Sequence, residues 1–269
     1  MEIEKNKMVY IIGIAVVALI AVAYVYNVTY GGSNTTAVLN NQAVPRSELL
    51  QLKVIATNYS LANNVGFGSA NNLPAAASKN GIYSPIITGG KATVVYVGAD
   101  FCPYCAITRW GLIIALMRFG NFTSLHYMTS SATDVFPNTP TFTFYNSSYN
   151  SAYVDFMSAE TATRNETPLQ APNGIENATM NKFNPSGGIP FIDFGNKTVQ
   201  GGAEVIPSLI DGQTWSQIIS ESGNPNSNIA KGIIGSANIF TAEICSIDNF
   251  TPTTVCSQPY VKSILKIAG

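Results

Sequence analysis

Residues 94–120 read VVYVGADFCPYCAITRWGLIIALMRFG. Val94-Val95-Tyr96-Val97 is an apolar run rich in β-branched and aromatic residues, the pattern of a buried strand. Gly98-Ala99-Asp100 reads as a turn. After Cys102-Pro103-Tyr104-Cys105 comes an apolar helical run, with Ile107, Trp110, Ile114 and Met117 one to two turns apart. Pro103 suits the first turn of a helix, where no N–H is needed. Cys102 is then left at the helix N-terminus, facing free N–H groups and the positive end of the dipole. A thiolate there is stabilised and becomes a nucleophile at neutral pH. Cys105, one turn on, can attack the mixed disulfide that results.

Cys-x-x-Cys is also half of a zinc site, but such sites usually need a second pair or two histidines. The other cysteines, Cys245 and Cys256, are separated by ten residues, and the only histidine is His126. A purely structural disulfide across so short a loop as Cys102 to Cys105 is geometrically restricted and readily reduced. The expectation is a redox-active dithiol, with no metal and no organic cofactor. Two rivals use the same residues: a surface glycoprotein with the pair permanently oxidised, and a copper or zinc carrier. The second lacks a Met- or His-rich surround.

The chain has 269 residues and a net charge of −1, enough for one generous domain with appendages and no electrostatic case for nucleic acid. Only 11% of residues are charged, against about a quarter in a typical soluble protein. The polar surface falls to 26 Asn, 23 Ser and 23 Thr. Nine Asn-x-Ser/Thr sequons occur, at Asn27, Asn34, Asn58, Asn121, Asn146, Asn165, Asn177, Asn196 and Asn249. Chance placement gives about half as many, so a glycosylated, extracytoplasmic surface is expected. A surface this poor in carboxylates also loses little in acid, which makes an acidic exterior a compatible setting.

Residues 1–7 are a short charged start on the cytosolic side. Residues 8–26 carry no charge and are long enough to span a bilayer. Lysines precede this run and Arg46 is the next cation, so the N-terminus stays inside and the rest goes out. A cleaved signal peptide ending at Ala21-Val22-Ala23 is the rival. Residues 27–45 read as a tether, 46–240 as the main domain and 241–269 as a segment closed by a disulfide. Outside the cell Cys245 and Cys256 should be bridged.

Within the main domain one amphipathic helix is expected over 46–64 and a strand over 83–88. After the central helix a strand is expected at 125–128, then a β-hairpin from 141–145 and 153–157 with Asn-Ser turns between. Residues 168–185 read mostly as loop, with room for one short helix. GGIPFIDFGN (187–196) opens a strand at Pro190 and turns at Gly195-Asn196. The remainder reads helical, with Asp211 capping a helix over 213–222.

VVYVGADFCPYC on a strand–helix boundary, with the later GGIPFIDFGN, resembles the thioredoxin superfamily. Within it, GADFCPYCAITRW, ALMRFGNF, DVFPNTPTFTFY and the late PTTVC resemble the membrane-anchored domain-of-unknown-function family 929. The resemblance implies an α/β thioredoxin-like fold: a central mixed sheet flanked by helices, here with an inserted β-hairpin, a helical C-terminal part and an N-terminal transmembrane helix. It further implies that Pro190 is a cis-proline beside the dithiol and that the Ile189 backbone pairs with an extended substrate strand. Pro103 and Tyr104, the pair familiar from glutaredoxins, join them at the substrate site. Thioredoxins keep a buried acid six residues before the first cysteine; Tyr96 stands there instead, and a phenol is a poor base. Deprotonation of Cys105 must then rely on another group, and Asp100 should oppose the helix end at Cys102. The function implied is thiol–disulfide exchange on secreted or surface proteins, coupled to a membrane redox partner.

Overall fold

The computed structural model describes residues 39–78, 81 and 83–268. The anchor expected at 8–26, its charged start and most of the tether lie outside these residues. Among the described residues no helix is long and apolar enough to cross a membrane.

Two helices come first, α1 (Arg46–Ala56) and α2 (Tyr59–Val65). The expected single helix breaks because the Asn58 side chain accepts a hydrogen bond from the Leu61 N–H and starts a new helix. Strands β1 (Ala75–Ala76) and β2 (Ile87–Thr88) precede β3 (Lys91–Gly98), so only the end of the strand expected at 83–88 forms. Then follow α3 (Pro103–Phe119), β4 (Gly120–Thr129), β5 (Pro140–Ser151) and β6 (Val154–Glu160). Next are α4 (Gly174–Phe183), β7 (Phe191–Phe194) and β8 (Thr198–Gly201). A 3-10 turn (Pro207–Ile210) leads into α5 (Trp215–Ser222), α6 (Asn228–Ile247), α7 (Thr253–Cys256) and α8 (Pro259–Ala268).

The main sheet is mixed and centred on β3. β1, β8, β7 and β3 run side by side in antiparallel pairs, β2 folds back onto the start of β3, and β6 pairs parallel to β3. From Ala92 onward β3 is buried throughout, which is why it reads as an unbroken apolar run. Helix α4 packs against β3 and β6, and α6 against β7, so helices flank the sheet.

Two expectations need correction, the hairpin and the cap of α5. The hairpin is β4 with β5, not 141–145 with 153–157: β5 continues through the Asn-Ser cluster, and β6 joins β3 instead. The short helix within 168–185 spans Gly174–Phe183 and is started by a capping box between Asn173 and Glu176. Helix α5 is capped by Thr214 with Gln217, whereas Asp211 merely closes the preceding turn. Helix α3 is enclosed: every residue except Tyr104 is buried. Helices α6 and α1 cover the face that would otherwise meet water. Gly111 permits this, since a Cβ there would stand 2.8 Å from the Cβ of Ser236 on α6.

Register then fixes which groups meet. Val97 near the end of β3 pairs with Phe191 at the start of antiparallel β7, and Gly98 pairs with Glu160 at the end of parallel β6. The end of β3, the end of β6 and Pro190 therefore share the sheet edge from which α3 departs.

Candidate functional site

Cys102 is the N-cap of α3, with Pro103 at the first helical position. Its sulfur accepts a hydrogen bond from the Cys105 N–H at 3.3 Å. Both thiols are free and buried, Cys102 with 6% of its surface exposed and Cys105 with none. The Cys105 thiol hydrogen-bonds to Cys102 and is the main cause that brings the Cys102 pKa down to about 7. Burial opposes this, while the N–H groups of Cys105 and Tyr104 and the charge of Arg109 assist. Burial, and then the bond to Cys102, push Cys105 well above the usual thiol range. The pair is asymmetric: one sulfur is poised as thiolate, the other is held as thiol.

Tyr104 is 39% exposed and meets Phe136 edge to face, with ring centroids 5.9 Å apart. Phe136 belongs to the β4–β5 connection, which is tied to the site by the Ser131 N–H donating to the Phe101 carbonyl at 2.8 Å. Pro190 is buried, follows a cis peptide bond, and its carbonyl accepts from the Gly202 N–H at 2.9 Å. Ile189 is half-buried, and its main chain makes no hydrogen bond among the described residues.

Two buried carboxyls flank the first turns of α3, and the sequence reading passed over both. Arg109 lies one turn beyond Cys105, on the same helix face. Its Nε and Nη2 grip Glu160 at 2.8 and 2.7 Å, and Nη2 also donates to the Ala99 carbonyl at 2.6 Å. Both side chains are fully buried. Burial raises Glu160 to about 7 against the pull of Arg109. Asp100 is buried with its Oδ1 3.8 Å from Arg109 Nη2. The Arg109 charge helps to lower the Cys102 pKa. On the other side, Thr108 Oγ1 donates to Glu204 at 3.3 Å. Glu204 is fully buried, and burial lifts its pKa to about 8. It lies two residues beyond Gly202, so the Pro190 loop and α3 are linked through it.

A signal for Arg109 was available: α3 contains just two charges, Arg109 and Arg118, in an otherwise uncharged run. A buried cation demands a partner. Cys245 and Cys256 form a disulfide between the last turn of α6 and α7, with the Phe250 N–H donating to the Cys245 carbonyl at 3.0 Å.

Residues 83–246 match the domain of unknown function DUF929. The chain belongs to the DUF929 family. The DUF929 match runs from just before β2 into the last turn of α6, so it takes in the dithiol, Arg109, Glu160, Pro190 and Glu204. Comparison with curated proteins and with solved structures gave no match.

Proposed function

We propose that this DUF929 protein is a thiol–disulfide oxidoreductase on a thioredoxin-like fold, held at the outer face of a membrane by residues 8–26. The observation that carries the reading is the asymmetry of the two sulfurs at the start of α3. Cys102, near 7, is partly thiolate at neutral pH and attacks a partner disulfide; Cys105 then displaces the partner from Cys102. The free main chain of Ile189, beside cis-Pro190, offers pairing to an extended partner strand. Pro103 and Tyr104 form the rim on the other side. Partners are cysteine-containing secreted or surface proteins and a membrane electron donor or acceptor. The Cys245–Cys256 bridge fits an oxidising compartment. The sequon asparagines among the described residues are exposed except Asn196, as a glycosylated surface requires.

Cys102→Ser should abolish turnover in a disulfide-exchange assay, and Cys105→Ser should accumulate partners covalently bound at Cys102. Alkylation of Cys102 should be half-maximal at a pH of about 7. Full exchange activity in both serine variants overturns the proposal.

A further inference from the structure

The connection between β4 and β5 closes on itself beside the dithiol. The Ser130 N–H donates to the Thr139 carbonyl at 3.0 Å, and the Asn138 N–H to the Ser131 carbonyl at 2.9 Å. Within that neck the Ser130 and Thr139 hydroxyls both donate to the Phe136 carbonyl, at 3.1 and 2.9 Å. Three further bonds fix the connection and the start of β5 to α3. The Ser131 N–H reaches the Phe101 carbonyl, the Thr141 hydroxyl the Ala106 carbonyl, and the Trp110 indole N–H the Pro140 carbonyl, each at 2.8 Å. Phe101 directly precedes Cys102, and Ala106 directly follows Cys105. The loop is therefore held in place against both ends of the dithiol turn. What it displays is apolar. Val135 is 73% exposed, while its own N–H donates to the Asp134 carboxylate at 2.6 Å. Phe136 is half-buried against the ring of Tyr104. One exposed apolar side chain is ordinary on a protein surface. Three neighbouring ones, carried by an ordered loop and touching the residue between two reactive sulfurs, form a binding surface.

We infer that Val135, Phe136 and Tyr104 are the specificity surface of the dithiol site, seating an apolar side chain that lies within about two residues of the partner's reacting cysteine. The inference rests on the oxidoreductase reading above. The occupant is an extended segment of a partner protein. On one side of Cys102 its main chain meets Ile189; on the other it crosses Tyr104 and delivers a side chain to Phe136 and Val135. Two residues of extended chain cover about 7 Å, and the Tyr104 and Phe136 ring centroids are 5.9 Å apart, so the seat matches that reach. Its continuity with the dithiol turn is what gives the patch to the protein undergoing exchange. Because the hydrogen bonds within the neck order the loop in advance, little freedom is lost when the seat is filled.

The full chain carrying Cys105→Ser presents one reactive sulfur. The probes are two peptides, each with a single cysteine joined by a disulfide to thionitrobenzoate and flanked on both sides by either leucine or serine. Cys102 Sγ bonds to the peptide sulfur, the bond from that sulfur to thionitrobenzoate breaks, and thionitrobenzoate leaves with the electron pair as a coloured thiolate. Each rate is divided by that of the same peptide with 2-mercaptoethanol, which removes the peptide's intrinsic reactivity. The leucine peptide should then react about tenfold faster than the serine peptide. Val135→Ser should lower that ratio by about threefold or more, and Phe136→Ser by more still. A loop that only supported the fold would slow both peptides alike and keep the ratio. A leucine peptide less than about threefold faster than the serine peptide, or a ratio that Val135→Ser lowers by less than about threefold, overturns the inference. So does a leucine advantage that vanishes as protein concentration rises, because it gives the patch to a second copy of this chain. Release of thionitrobenzoate from neither peptide overturns the dithiol reading instead. Should Phe136→Ser fail to fold, Val135→Ser decides alone, since its side chain is mostly in water.

Discussion

Cys102 and Cys105 stand at the start of a helix, whereas Cys245 lies in the last turn of α6 and is tied to Cys256 on α7. At the first position the helix offers N–H groups and positive potential; at the second it offers carbonyls and negative potential, which disfavour a thiolate. The buried charges differ as well. Beneath the first pair, Arg109 clamps Glu160. Beside the second, the buried Asp248 accepts only from main-chain donors such as the Thr251 N–H at 3.2 Å, and burial lifts it to about 7. The two cysteine pairs thus sit in opposite settings, one at the positive end of a helix beside a buried cation and one at the negative end beside a buried acid.

The sharpest way to break this comparison is by activity. Cys102→Ser should remove exchange, while the double variant Cys245→Ser/Cys256→Ser should retain it as long as it folds. A folded double variant without exchange would show that the second pair takes part. Next in size is Arg109→Met, which strands Glu160 as a buried carboxyl without its cation. The expected loss is about 3–5 kcal/mol by chemical denaturation, and under about 1 kcal/mol would mean that Glu160 is held neutral.

A third effect is a pH dependence with a definite sign. Burial raises Glu204 to about 8 in the folded protein, so the fold retains a proton that the unfolded chain has released. That stabilisation is complete below the ordinary carboxylate range and is lost as pH rises through about 8. Asp248 acts in the same direction up to about 7. Stability should fall by several kcal/mol from acid to mildly alkaline pH, and Glu204→Gln should flatten the upper part of the slope. A wild-type stability that climbs over this interval would contradict the assignment. The smallest effect is the loss of the bridge: Cys245→Ala/Cys256→Ala should cost about 2–3 kcal/mol, read as a lower denaturation midpoint.

Much of the dithiol neighbourhood was legible in sequence because it is local. Strand, turn, N-cap cysteine and Pro at the first helical position follow one another without interruption. Arg109 and Glu160 are 51 residues apart, and no local pattern joins them. β5 misled for a different reason. Beyond Phe144 it alternates half-buried and exposed positions along a two-stranded ribbon, so its Asn and Ser residues are the outward side of a strand, not turns. β6 was misassigned because parallel pairing is never announced by its immediate neighbours in the chain. The capping box of Thr214 and Gln217 is a three-residue spacing that the sequence carries.

Enclosure of α3 by its neighbours has a last consequence. Tyr104 aside, the helix gives water no flank, so a visitor must approach along its axis, at a tip about 10 Å across. A broad flat face would touch the rim and stop there. A slender, extended loop could thread in far enough to reach the Cys102 sulfur.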